Sequence, residues 1–559
     1  GKLTHKYDYS VRSDPLWEEI IIVAETTLQH LFEFTKLTLE AIQNCQNVEV
    51  LIQQLRILKC ELRCFYHLSC QDMPPQIEEN LQGWVQILAL VLKLSQENKT
   101  IEIQVFKCKG EALRSILLYA TKYREDVEPL IESFSKEIWA VCTTTSDDPK
   151  YEKFLLNAMK YFKSLLYWTD FRGFFSQNIE TLLKTLVIKN LKPTKEEVII
   201  FEDEPQIFIE NVFNNAGGSS KKNCCIDLAK TIAKQYTQEC IPILQSNVAE
   251  YANAFKEGKV NQEMEIILIN LLVDMGVTAY RPQDGVTNVV LPVEFYTFFY
   301  SNITEPFLTQ VFNAVQTDKT FNVDKLNLFH LAYHLRFVFF FRTYLDRAKM
   351  LEISKHISYL LTTKNITLRY VIYYSLEMMI TLKDISQGMI GAYPHVFNKQ
   401  TIAPVIPFIL ENVYNCVKSD PQKIDGYSVR AVLAIITMME ETAATYIQAF
   451  IALFKILIAG ILSGYEFSTI HTTFEALSYL FVAAKFDATA YSTLSSALTP
   501  VLNQIIEKNH TDMIGYVFQI YAIMLQNSGV GQDHKVIFTS LLDLKNWGKD
   551  MTALFPAYA

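Results

Sequence analysis

The chain has 559 residues, 50% of them hydrophobic, and its glycines (18) and prolines (17) are each about 3% of the total, against a usual roughly 7% and 5%. That length exceeds one ordinary core, and so little turn chemistry argues against a hairpin-rich β architecture and for long helices. A formal net charge of −9 argues against a phosphate backbone as the main partner and suits basic protein surfaces.

In chain order, GKLTHKYDYSVRSD (1–14) holds no apolar signal core. This start and the end, MTALFPAYA, both read as cuts through a longer protein. Helical patterns then come in pairs: 14–42 with 48–68, 74–94 with 110–123, and 127–142 with 151–168. At the end of the 48–68 pattern, CELRCFYHLSC places Cys60, Cys64, His67 and Cys70 along one side of one helix. Four ligands on a straight helix cannot converge on a tetrahedral ion, so the pattern predicts a buried apolar stripe with packed thiols and no metal. The ten cysteines show no framework spacing and fit a reducing compartment. Asp147–Asp148 before Pro149 reads as a helix cap.

From Lys192 to Asn223 the rhythm breaks. FEDEPQIFIENVFNNAGGSSKKNCC (201–225) runs from acids through proline and glycines to lysines. GGSSKK lacks the spacing of a phosphate loop. The reading is an inserted loop at 192–223 within a repeat, on one face of the protein, where insertions often bind partners. Glu202, Asp203, Glu204, Lys221 and Lys222 are its candidate partner contacts, with helical repeats at 1–191 and 224–559 on either side.

Two later stretches approach the length of a membrane span, LFHLAYHLRFVFFFRTYL (328–345) and AATYIQAFIALFKILIAGILSG (443–464). Arg336 and Lys455 at their centres are costly in lipid, so both read as helices buried between neighbours. His330 and His334 have the spacing of two zinc ligands on a helix. Leu331 stands where a zinc protease carries its glutamate, and no third ligand is evident in the sequence, so both read as core or interface histidines. Met378–Met379 and Met438–Met439 fall in helical patterns and read as core. No G-x-S-x-G and no H-E-x-x-H occurs. The reading is neither an enzyme nor a cofactor binder.

Paired patterns continue to 494–510 and 512–527, about ten pairs with a partial eleventh, recurring at intervals of roughly 45–60 residues, near the period of armadillo and HEAT repeats. One pair cannot bury its own apolar faces, so neighbours stack. The fold class is all-α: a HEAT-repeat α-solenoid, a right-handed superhelix of antiparallel helix pairs.

On that frame, several blocks resemble one family, the CAS (Cse-type) nuclear exportins, which are importin-β-like transport receptors. KYDYSVRSDPLWEEI (6–20) resembles its entry to a long helix. FYHLSCQDMPPQIEENLQGW (65–84) matches its next block at Phe65, Tyr66, Leu68, Gln71, Asp72, Pro74, Glu78, Asn80 and Trp84. LYATKYREDVEPLIESFSKEIW (118–139) and GVTNVVLPVEFYTFF (285–299) are similar to later ones. The family's F-E-D-x-P-x-x-Y-I is met by Phe201, Glu202, Asp203, Pro205 and Ile209, with Phe208 in the place of its tyrosine. Glu210 and Asn211 replace its paired arginines. Ser220, Lys221 and Lys222 stand for its threonine and basic run. The resemblance implies a receptor that binds importin-α together with GTP-bound Ran, touches nuclear pore proteins transiently and shuttles between nucleus and cytoplasm. The acidic charge, the missing motifs and the central Arg336 and Lys455 separately predict no nucleic-acid partner, no cofactor and no membrane span. The alternative is another HEAT-repeat transport receptor or scaffold. Family members are longer at both ends.

Overall fold

A computed structural model describes residues 15–70, 73–95, 98–145, 148–213, 220–281, 286–289, 291–317, 321–381, 397–419, 425–463, 467–508 and 510–527. Residues 6–14, Gln71, Asp72, Asp147, the Gly-Gly-Ser of 217–219 and the C-terminal MTALFPAYA, all singled out above, lie outside the described residues. The chain divides into two compact units. One comprises 1–192, 217–250 and 270–276, and the other 193–216, 251–269 and 277–559.

In the first unit, local signals start the helices. Asn47 accepts from the amides of Glu49 and Val50 and opens Val48–Ser69, and Asp148 accepts from the Lys150 amide at 2.9 Å before the turn at Pro149. Every second helix then packs on the next. Val48–Ser69 lies against Lys99–Lys122, which lies against Glu152–Leu165, which lies against Lys221–Gln235. A second row runs through Pro15–Asn44, Leu81–Lys93 and Arg124–Thr144. Two rows of alternating helices are what stacked helix pairs produce.

The cysteine stripe expected on Val48–Ser69 is corrected. The buried face is Leu51, Leu55, Leu58, Leu62, Phe65 and Ser69, and Cys60 and Cys64 fall on the other side, exposed. At 100° per residue, position 60 lies roughly opposite position 58. The cysteines at 108, 142, 224, 225, 240 and 416 are buried.

Lys109 is buried on Lys99–Lys122, with its Nζ 5.2 Å from the centre of the Phe106 ring. Burial pushes its ammonium down to about 8, against the pull of Glu137. The charged form is therefore disfavoured by folding at neutral pH. Lys109→Met is expected to raise stability by roughly 2 kcal/mol at pH 7. The gain should shrink as pH rises from about 8 toward the ordinary 10.5, because the unfolded lysine then loses its proton as well. Urea titrations at pH 7 and pH 10 measure both.

The second unit repeats the two-row plan. Glu305–Thr317, Arg347–Tyr359, Ile406–Ser419, Ile447–Ile461 and Ala488–Glu507 stack in one row. Leu328–Phe341, Ile366–Ile380, Gly426–Met439, Phe467–Ala484 and Thr511–Gln526 stack in the other. This is the helix order of a HEAT-repeat solenoid. One departure from pure helix is a small antiparallel hairpin, Val277–Arg281 with Val286–Val289, in which Arg281 faces Val286 and Tyr280 faces Thr287. Its strand segments are rich in β-branched residues, and the sequence between them carries Pro282, Asp284 and Gly285, a local hairpin signal inside a helical chain.

Gly426–Ile461 is long and apolar enough to cross a membrane by length and composition. It is interrupted, however, by a tighter turn at Glu440–Tyr446, where Glu440 takes φ 47°. Lys455 points outward from a helix whose Phe450, Phe454 and Leu457 are buried. Leu328–Phe341 is buried along almost its whole length.

Candidate functional site

The segment expected as a loop at 192–223 is instead largely helical. Thr194 opens Lys195–Asp203 with a reciprocal cap: its hydroxyl accepts from the Glu197 amide at 3.1 Å, and Glu197 accepts from the Thr194 amide at 2.9 Å. Pro205 occupies the first turn of Pro205–Val212, where its missing N–H costs nothing. The sequence signal was present, since TKEE (194–197) is a capping box ahead of an apolar run.

These two helices carry core. Phe201, Phe208 and Phe213 are each at most 3% exposed. Phe201 and Phe208 meet edge-on at 5.0 Å, and Phe201 meets Phe329 at 5.5 Å. Phe213 packs on Phe339 at 5.1 Å and Tyr374 at 5.9 Å. The Thr367 hydroxyl donates to the Phe201 carbonyl. Arg336, the charge inside the apolar 328–345 stretch, donates from Nε to the Val212 carbonyl at 2.7 Å. A buried cation thus satisfies the carbonyl end of a helix, where the helix dipole favours it.

The five candidate contacts fall into two groups. Glu202, Asp203 and Glu204 are exposed at the joint between the two helices and belong to the second unit. Lys221 and Lys222 are half-buried in the first turn of Lys221–Gln235, in the first unit. Ser220 caps that helix by accepting from the Asn223 amide at 3.1 Å.

A second polar group lies wholly inside the second unit. Glu265, His330 and His334 are each at most 1% exposed. Glu265 Oε2 is 2.5 Å from His330 Nε2 and 3.0 Å from His334 Nε2, and the two imidazole nitrogens are 3.1 Å apart. The other carboxylate oxygen accepts from the Tyr251 hydroxyl at 2.7 Å. Gly258, at φ +77°, turns the chain between Tyr251 and Glu265, and the Asn261 amide donates to the Tyr251 oxygen at 3.0 Å. Phe307 stacks on His334 at 4.3 Å and meets His330 edge-on at 4.8 Å. Burial alone would raise the Glu265 carboxyl, but hydrogen bonds from the histidines outweigh it and hold the group at about 2. Burial pushes His334 down to about 4. Sequence reasoning found the two histidines and missed Glu265, because 65 residues separate it from His330.

Comparison with known proteins bears on the whole chain. Residues 3–375 match the family described as Cse1, and residues 381–555 match the one described as CAS/CSE protein, C-terminus. Exportin-2 of Danio rerio is 23% identical over 566 residues, covering 98% of this chain and 56% of the relative. Exportin-2 of Homo sapiens is 22% identical, covering 99% and 56%. The importin-alpha re-exporter of Schizosaccharomyces pombe is 23% identical, covering 93% and 53%. The chain therefore spans about half the length of the curated relatives it matches. Among solved structures, the exportin Cse1 in its cargo-free, cytoplasmic state superposes with a TM-score of 0.61 at 18% identity, covering 94% of this chain and 55% of that one. That likeness establishes a shared fold.

Proposed function

The chain belongs to the Cse1 family, and on that ground we propose that it works as part of a nuclear export receptor that binds importin-α together with GTP-bound Ran. The receptor returns importin-α to the cytoplasm, touches pore proteins in passing and catalyses no reaction of its own. The continuous likeness along nearly the whole chain carries this reading.

The local chemistry is compatible with protein recognition. Exposed Glu202, Asp203 and Glu204 are mounted on helices whose aromatic faces are fixed in a core, so the acids are presented without a large ordering cost on binding. Lys221 and Lys222 occupy the first turn of a helix, where the dipole disfavours cations by a few tenths of a kcal/mol. Helix stability therefore does not account for these two positions, and an acidic surface on a partner suits them. Stacked repeats change shape by small increments that add along a row. Two ligands that both favour one shape then bind cooperatively and reciprocally.

The deciding experiment is capture of importin-α by the whole receptor, with and without Ran locked in its GTP state. Binding is expected to be tight only with Ran-GTP. Equal capture with GDP-bound Ran or with none would refute the proposal, and loss of cargo on adding Ran-GTP would mark an import receptor.

A further inference from the structure

Glu265 presents one carboxylate oxygen to two imidazole nitrogens, and these three atoms form a triangle with edges of 2.5, 3.0 and 3.1 Å. Hydrogen bonds alone do not satisfy it. A neutral imidazole carries one N–H. If both Nε2 atoms are protonated, two hydrogens crowd the same short gap between the rings. If only one is, the lone pair of the other faces the carboxylate oxygen. No lysine or arginine pairs with Glu265 among the described residues, although a buried carboxylate needs a compensating charge.

One cation in contact with all three atoms resolves every pair at once. An ion at the usual zinc distances of about 2.0–2.1 Å from each ligand would sit about 1 Å out of their plane. Tetrahedral ligands at those distances lie roughly 3.3 Å apart, so Oε2 and His330 Nε2 would separate by about 0.8 Å and the other two edges would widen by a few tenths of an ångström. Two of the three ligands have outer contacts of the kind that orients them, while His330 Nδ1 is buried with no hydrogen-bond partner among the described residues. Tyr251 holds the second carboxylate oxygen, and Thr304 Oγ1 lies 3.4 Å from His334 Nδ1. Two imidazoles and a carboxylate are borderline ligands that suit zinc and its first-row neighbours rather than calcium or magnesium.

We infer that Glu265, His330 and His334 bind one divalent transition-metal cation of the zinc class, pinning the first turn of Gln262–Gly276 to Leu328–Phe341 within the second unit. The site is enclosed by Phe307 and the surrounding core, so the ion is structural and enters during folding.

The full chain, produced with zinc in the medium and gel-filtered, is expected to carry about one zinc per chain by elemental analysis. A strong chelator should lower its melting temperature by a few degrees, and added zinc should restore it. Cobalt(II) in place of zinc should give weak visible bands with no thiolate charge-transfer band, since every protein ligand is nitrogen or oxygen. Glu265→Gln combined with His334→Gln should abolish metal uptake, whereas Cys60→Ser combined with Cys64→Ser should leave it intact. If the histidine-site variant does not fold, the cobalt spectrum of the unaltered chain decides. A chain that takes up no zinc and melts identically with and without it overturns the inference. So does a thiolate band, or metal that disappears with the two cysteines and survives loss of the histidine site.

Discussion

Replacing Phe208 with alanine is expected to destabilise the second unit by about 3–5 kcal/mol, the usual cost of deleting a buried aromatic ring. The ring is 1% exposed and closes a cluster with Phe201, Phe329 and Tyr333. Its loss removes apolar burial and leaves a cavity that helices anchored at both ends cannot collapse. It also loosens Pro205–Val212, whose last carbonyl receives Arg336, so a buried guanidinium loses part of its partnership. Urea unfolding followed by circular dichroism should show an earlier transition, and hydrogen exchange should rise in Ile366–Ile380. A variant with unchanged unfolding would mean that the 195–213 segment is an appendage and not core.

Reversal of Glu202, Asp203 and Glu204 to lysine separates fold from function on the same segment. All three side chains are exposed, and surface changes of this kind usually move stability by less than about 0.5 kcal/mol each. The fold should therefore survive. In the whole receptor, association with importin-α and Ran-GTP should slow by about tenfold at low salt, with the difference shrinking as salt rises, because a favourable patch becomes a repulsive one and its reach falls to about 10 Å at 0.1 M. Stopped-flow association at several ionic strengths reads this directly. A slower rate with no salt dependence would assign the segment a role through shape. No change at any salt would make the acids solvated surface only.

The contrast between these variants marks what was legible in the sequence. The stacked rows were legible, because helices such as Val48–Ser69 and Lys99–Lys122 are long enough for a 3.6-residue period to show. The nine and eight residues of Lys195–Asp203 and Pro205–Val212 are too short for that, and their β-branched runs point toward extended chain. Their capping box was the better guide. Cys60 and Cys64 were misplaced because cysteine was weighed as a core residue, while the leucines on either side had already defined the buried face. The acids were found by charge alone. The aromatic anchors beneath them, and Glu265 beside the histidines, were not, since no local rule links residues that meet only after the chain has folded back.

That folding back has a consequence in time. In a solenoid each repeat normally needs only its neighbour, and stability can grow one repeat after another. Here Val212 is bonded by a residue 124 positions later, and Phe201 by one 166 positions later. During synthesis at roughly 5–20 residues per second, the segment would wait about 6–33 s before its partners leave the ribosome. Three phenylalanines are without their native cover for that interval. The second unit is thus built as a clasp that shuts late, and the nascent chain offers a chaperone a defined hydrophobic target between the making of residue 213 and that of residue 374.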